Sequence, residues 1–380
     1  MGRRWSMTGR NRRCFLVAAV VLAFAQSGCA RSQAANIPTT QPIADVFFAA
    51  AAQDVTRSIQ KTFYDPKTGL YAHSTEDRNP EAMWGNGVMF SALVAAARHE
   101  PRVYRPLLAR FYQSLEPYWD AQAKVPGYEP WPTQGGNDKY YDDNQWMVLT
   151  FLEAYELTRE KKYLDRADQA LRFSLSGWDD ELGGGIWWHE KHKDGTKNTC
   201  SNAPAAVACL RMARFRRRDE NIAWARRIVA WTNEHLRDSD GLFFDRQRVD
   251  SGKINKHKRT YNAALMLRAN LELHQLTGER QFLDEATRIA VACDHFVDKE
   301  TGAYRDPFKF THLLVEADLE FHRATADKKV LARAIRNGEV AYARWQKKPP
   351  AELIENASIA RMLWLLSQRK TPMPGNKPRK

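Results

Sequence analysis

LTREKKYLDRA at Leu157–Ala167 reappears without a gap as LTGERQFLDEA at Leu276–Ala286, and more loosely as ATADKKVLARA at Ala324–Ala334. Each copy ends one apolar helical pattern, turns within a few residues and begins the next. A second feature recurs between them, an acidic turn with glycine followed by aromatics: DPKTGLYA (Asp65–Ala72), DDELGGGIWW (Asp179–Trp188), DSDGLFFD (Asp238–Asp245) and DKETGAYRD (Asp298–Asp306). Tight turns therefore alternate with longer aromatic loops. Apolar residues recur at three- and four-residue spacing, which predicts helices near 42–63, 83–98, 102–121, 143–160, 162–176, 201–217, 219–237, 259–277, 280–297, 309–326, 328–347 and 351–369. No alternating run predicts a large sheet. A single helical hairpin cannot bury its apolar stripe, so hairpins stack on their neighbours. Twelve helices make six hairpins, and the expected fold is all-α, an (α/α)6 toroid or six-hairpin barrel; an open superhelical solenoid is the alternative. The tight turns belong to one face and the long loops to the other, where function is expected.

The formal net charge of +13 over 380 residues is concentrated at the ends. Residues 1–35 hold six arginines and no acid, and residues 369–380 hold five basic residues and no acid, so the remainder carries +2. A nucleic-acid partner, which needs a basic stripe on the folded part, is not expected. Residues 1–35 are expected to be an export signal that is removed, 36–370 a single catalytic domain, and 371–380 a disordered basic tail. Arg12-Arg13 before Phe15-Leu16 resembles a twin-arginine signal, and the apolar run Cys14–Ala25 is too short for a comfortable membrane span. Ser32-Gln33-Ala34 offers a cleavage site. Gln26-Ser27-Gly28-Cys29 offers a degenerate lipoprotein box, with a lipid on Cys29 as the one membrane link. Either route places the mature protein outside the cytoplasm: periplasmic, extracellular or lipid-anchored at the cell surface. Cys200, Cys209 and Cys293 are odd in number and lack metal-ligand spacing, so neither a disulfide framework nor a metal site is expected.

The strongest local signal is Tyr140-Tyr141-Asp142-Asp143-Asn144-Gln145-Trp146, which opens the patterned helix Met147–Leu157 after a polar loop carrying Tyr128, Trp131 and Asn137. Two readings stand side by side. Asp142 is an N-cap and Asp143 complements the helix dipole, or the two carboxyls flank a glycosidic bond, one neutral and one ionised. Like charges this close raise one proton affinity, whereas a helix N-terminus lowers it. Gly183–Trp188 (GGGIWW) and Lys197–Pro204 (KNTCSNAP) form the second signal. Trp187 and Trp188 offer flat faces to a pyranose or pack between helices; Ser201 and Asn202 cap a helix or bind hydroxyls. Trp84-Gly85-Asn86 and Thr260-Tyr261-Asn262 occupy comparable positions. His189 and His192 are expected in solvent, and there is no G-x-S-x-G elbow.

Taken together, YYDDNQW, GGGIWW and KNTCSNAPAAVACLRM resemble glycoside hydrolase family 76, the endo-α-1,6-mannanases, over about Ala44 to Leu366. The resemblance implies an (α/α)6 barrel, α-1,6-linked mannan as substrate, a retaining mechanism with Asp142 as nucleophile and Asp143 as acid/base, and no cofactor or metal. Trp84, Trp187, Trp188 and Tyr261 are then expected to stack on sugars, Asn86, Asn202 and Asn262 to bind hydroxyls, and Tyr141 and Asn144, beside the pair, to bind the substrate as well. Gln145 departs from the small residue of many relatives, which bears on fine specificity rather than on reaction class. The alternatives are an epimerase or unsaturated-uronyl hydrolase on the same toroid, or a non-catalytic surface glycan-binding protein. A monomer is expected.

Overall fold

The computed structural model describes residues 41–368 apart from 134, 192 and 194, so the expected export signal and basic tail lie outside the described residues. Among the described residues there are twelve α-helices: α1 (Gln41–Thr62), α2 (Met83–His99), α3 (Pro101–Ser114), α4 (Tyr141–Thr158), α5 (Lys161–Ser176), α6 (Thr199–Ala213), α7 (Arg218–Leu236), α8 (Thr260–Thr277), α9 (Arg280–Ala292), α10 (Phe308–Thr325), α11 (Lys328–Lys347) and α12 (Leu353–Ser367). The even-numbered helices pack in succession, α2 on α4, α4 on α6, and so on to α12, which closes on α2. The odd-numbered helices lie outside this ring. Composition explains the sorting. Every residue of α6 is buried, as befits a helix apolar all round. By contrast α3 buries only Tyr104, Leu108 and Phe111, one stripe at helical spacing. This is the (α/α)6 toroid, and ring closure sets the solenoid aside.

The repeated sequence signals are repeated turns. Thr158, Thr277 and Thr325 each donate to the carbonyl four residues back and accept the N–H of the residue two ahead, Glu160, Glu279 and Asp327. The intervening Arg159, Gly278 and Ala326 all adopt the left-handed conformation, with φ of 62°, 77° and 61°. Each N–H there closes its inner helix onto the carbonyl of Tyr155, His274 or His322. The aromatic loops end outer helices in small antiparallel bends, pairing Tyr64 with Tyr71, Trp178 with Ile186, Arg237 with Phe243 and Val297 with Tyr304. The chain then runs into the N-terminus of an inner helix. All six inner helices thus open on the long-loop face.

Two small sheets stand on that face. β1 (Trp119–Asp120) pairs with β2 (Gly127–Tyr128), and β3 (Thr196–Asn198), β4 (Phe244–Arg248) and β5 (Ile254–Lys258) form an antiparallel sheet in that order. The second sheet was not expected. Its strands FDRQR and INKHK are too polar to show an apolar alternation.

At the tight-turn end the ring is filled by charge. Arg211 of α6 meets Glu153 of α4 (3.4 Å), Glu272 of α8 (3.3 Å) and Glu320 of α10 (2.8 Å). Arg268 of α8 meets Glu316 and Glu320 of α10 at 3.1 and 2.9 Å. Arg361 of α12 meets Glu153 (2.7 Å) and Glu316 (3.0 Å), and donates to the Ser91 carbonyl of α2 at 3.1 Å. One connected network therefore ties all six inner helices. Its charges are stable in the interior because each is paired several times over.

Candidate active site

Asp142 and Asp143 are the second and third residues of α4; the N-cap is Tyr140, and no side chain caps this helix. Asp142 is therefore not the cap, although both carboxyls lie in the first turn, where the helix dipole favours negative charge. Oδ1 of Asp142 is buried with no hydrogen-bond partner, and Asp143 is only 9% exposed. Burial pushes Asp142 up to about 6, offset in part by the Cys200 thiol, nearby backbone N–H groups and the Trp188 indole. Asp143 is pushed well above the usual carboxylate range, first by burial and then by the negative charges of Asp142 and Glu81. Two adjacent carboxyls are thus set apart: Asp142 ionises first and Asp143 holds its proton.

The early residues of successive inner helices converge on the same mouth. Cys200 and Tyr261 are second in α6 and α8, Trp84 is second in α2, and Phe310 is third in α10. Burial holds the Tyr261 phenol protonated, reinforced by Cys200, Asp245 and Asp142 nearby. Tyr261 stacks on Phe310 (5.0 Å, 20°), and Phe310 stacks on Trp84 (5.7 Å, 25°). These rings form a continuous aromatic run across the mouth. Trp188 stands beside Asp142, edge-on to Tyr140 at 5.3 Å. Asp245 of β4 accepts from Asn255 Nδ2 at 3.2 Å, and burial raises its carboxyl. Sequence reasoning missed Phe310, Asp245 and Glu81. Phe310 was discoverable, since like the other site residues it lies in the first turn of its inner helix. Asp245 was hidden in a strand the pattern did not announce.

Several expected sugar contacts are instead fold contacts. Asn144 Oδ1 accepts the Tyr128 N–H (2.7 Å), and its Nδ2 donates to the carbonyls of Tyr128 and Tyr140, both at 2.9 Å. Asn202 repeats this with Ile186 N–H (2.8 Å), Ile186 O (3.1 Å) and Asn198 O (2.8 Å). Asn86 donates to Glu81 O at 2.8 Å, and Asn356 to Pro350 O and Glu352 O, both at 2.8 Å. All four are fourth in their inner helix. This position, shared by four of the six inner helices, fastens the incoming loop to the helix and engages the amides of Asn144 and Asn202 with backbone groups. Asn262 is wholly buried, with neither amide atom partnered. Tyr141 is 3% exposed and stacked on Phe173 at 4.9 Å. Trp187 is 3% exposed, with Nε1 donating to Asp179 at 2.5 Å. Its neighbour Trp188, on the opposite side of the extended chain, is the one at the mouth. His189 is buried and bonded to Asp138 at 2.7 Å, not solvated; His192 lies outside the described residues. Gln145 donates to Ser201 O at 2.7 Å and joins α4 to α6.

A closed ring of six helical hairpins, with two unequal carboxyls at its loop face beside a run of aromatic rings, defines a toroidal glycoside hydrolase. The chain belongs to glycosyl hydrolase family 76, whose model matches residues 47–337. No curated protein matches it. Among solved structures it is similar to a family 76 α-mannanase of Bacteroides thetaiotaomicron, at 23% identity and a TM-score of 0.80, over 85% of this chain and 95% of that one. It is also similar to an inactive variant of the α-1,6-mannanase of Salegentibacter sp., in which two adjacent aspartates are replaced by asparagine, in complex with α-1,6-mannotriose. There the identity is 22% and the TM-score 0.73, over 85% of this chain and 100% of that one. Dfg5 from Chaetomium thermophilum, in complex with glucosamine, shares 16% identity at a TM-score of 0.72, over 90% of this chain and 94% of that one.

Proposed function

We propose that this glycoside hydrolase cleaves α-1,6-mannosidic bonds of mannan-type polysaccharides with retention, through a covalent glycosyl-enzyme, and acts outside the cytoplasm. The observation that carries the reading is the Asp142–Asp143 pair, with its unequal proton affinities, set at an aromatic mouth. Near neutral pH Asp142 is ionised and attacks the anomeric carbon, while Asp143 gives its proton to the departing glycosidic oxygen. Asp143, now a carboxylate, takes a proton from water. That water attacks the anomeric carbon and releases Asp142. Adjacent residues have Cα atoms about 3.8 Å apart, which suits the roughly 5–5.5 Å carboxyl separation of retaining enzymes. Trp188 and the stacked run Trp84–Phe310–Tyr261 line the mouth beside the sugars.

The mannotriose complex of the structurally similar mannanase supports α-1,6-mannan as the substrate. The family match over residues 47–337 favours hydrolysis over the epimerase alternative. The reading predicts that kcat/KM falls as pH drops below about 6, where Asp142 becomes protonated, and falls again at higher pH as Asp143 ionises. It is tested by incubating the protein with linear α-1,6-mannan and following the first product by NMR. The α anomer is expected first. The β anomer, or no cleavage, overturns the proposal.

A further inference from the structure

Glu81 is a charged residue that the pair of aspartates does not account for. It lies two residues before α2 and is 2% exposed. Its place is held from several sides. The Glu81 carbonyl accepts from Tyr118 Oη at 2.7 Å and from Asn86 Nδ2 at 2.8 Å. Its Oε1 accepts the Ala82 N–H at 2.8 Å and meets His73 Nδ1 at 3.0 Å. Its Oε2 is buried without a partner. The space it fills exists because residue 85 is glycine: a Cβ there would lie 2.4 Å from Glu81 Cδ.

The register of the ring brings this carboxyl beside Asp143. Inner helices α2 and α4 are neighbours that both start on the loop face. Gly87 lies against Trp146, where a Cβ would stand 3.0 Å from Trp146 Cβ. Asp143, three residues before Trp146, is therefore level with the first turn of α2, under which Glu81 packs. The charged groups around this point include one lysine, Lys309, which lies over the Trp84 ring at 5.9 Å and meets Glu352 at 3.3 Å. Asp143 is faced by Asp142 on its own helix and by Glu81 from the α2 side. Glu81 is faced by His73 and, from the loop before α12, by Glu352. His73 is faced by Glu81, Glu352 and Asp77, and its side chain is 37% exposed against 3% for Glu81.

We propose that Glu81, held by His73, is a positioning residue for the acid/base: its negative charge keeps Asp143 protonated until the leaving oxygen needs the proton. The inference rests on the reading of Asp143 as the acid. His73 does two things. Burial raises the Glu81 carboxyl, and His73, by hydrogen bond and charge, offsets that in part and favours its carboxylate form; His73 also connects the buried carboxyl to solvent. The sign follows directly. A like charge disfavours ionisation of Asp143, so removing it lets Asp143 ionise at lower pH.

The test is Glu81→Gln, with His73→Gln as the milder version, assayed on two substrates with thermal unfolding alongside. Glu81→Gln is expected to move the high-pH limb of kcat/KM on α-1,6-mannan down by on the order of one pH unit. His73→Gln is expected to move it in the same direction by less. An α-1,6-mannooligosaccharyl fluoride, whose leaving group needs no proton, should be cleaved by Glu81→Gln within a few-fold of the wild-type rate. An unmoved limb, or equal loss on both substrates with unchanged thermal stability, overturns the proposal. Should Glu81→Gln unfold, His73→Gln alone decides by the same limb. Failure of the underlying reading is distinct: Asp143→Ala would then retain activity on mannan.

Discussion

Asn202→Ala separates a residue that holds a loop from one that holds a sugar. The side chain makes three buried hydrogen bonds, one accepted from Ile186 N–H and two donated to Ile186 O and Asn198 O, at 2.8, 3.1 and 2.8 Å. Each contributes about 1 kcal/mol net, and stranding the Ile186 N–H costs about 1–3 kcal/mol more. A loss of roughly 3–4 kcal/mol is expected, since part of the strain relaxes. At about 2.1 cal/mol/K of unfolding entropy per residue, a domain of this length loses roughly 1.5 °C per kcal/mol, so the midpoint should fall by roughly 4–6 °C. The fastened segment carries Trp188 to the Asp142 side of the mouth, so activity should fall as well. The assay is thermal unfolding by circular dichroism beside initial rates on α-1,6-mannan. A midpoint within about a degree of wild type, together with a raised KM, would refute the reasoning and restore Asn202 to the substrate.

Replacing Arg361 with Met strands Glu153 and Glu316 in the axial network, although each keeps a second arginine, so a cost of about 3 kcal/mol is expected at the low end of the range for a broken buried pair. Glu316 is depressed below its ordinary value because Arg268, Arg361 and Arg211 outweigh its burial. A depressed carboxylate stabilises the fold above its unfolded pKa and loses that contribution as pH falls, so the variant should begin acid unfolding at a higher pH than wild type. Ala326→Gly relieves a left-handed alanine at φ 61° and should raise stability by about 0.5–1 kcal/mol in chemical denaturation. Loss of stability would mean the turn is not strained. Phe310→Ala breaks both ring stacks at the mouth and should lower kcat/KM on mannan about tenfold, while unchanged kinetics would remove the aromatic run from the substrate path.

The fold was legible because its signals repeat. Three copies of one turn, read at Leu157, Leu276 and Ala324, became three turns built alike on a threonine and a left-handed residue, and the periodicity found all twelve helices. Boundaries slipped where a helix stops for tertiary reasons: the expected 102–121 ends at Ser114, where a 3-10 turn and β1 take over. The site was legible only in part. Asp142 and Asp143 stood out by context, but their inequality comes from burial and from Glu81, which lies far away in sequence. The asparagines misled because the same amide that suits a sugar hydroxyl also suits two backbone groups. A repeat at the fourth position of four inner helices is the mark of the second use. Trp187 and Trp188 could not be told apart without knowing which way the extended chain faces.

Azide rescue separates the roles of Asp142 and Asp143. Asp143→Ala is given an α-1,6-mannooligosaccharyl fluoride and sodium azide, and the glycosyl azide is read by NMR. Azide then attacks the glycosyl-enzyme on Asp142 in a second inversion, so the account predicts an α-azide; in Asp142→Ala a single displacement should give the β-azide. A β-azide from Asp143→Ala would make Asp143, not Asp142, the nucleophile.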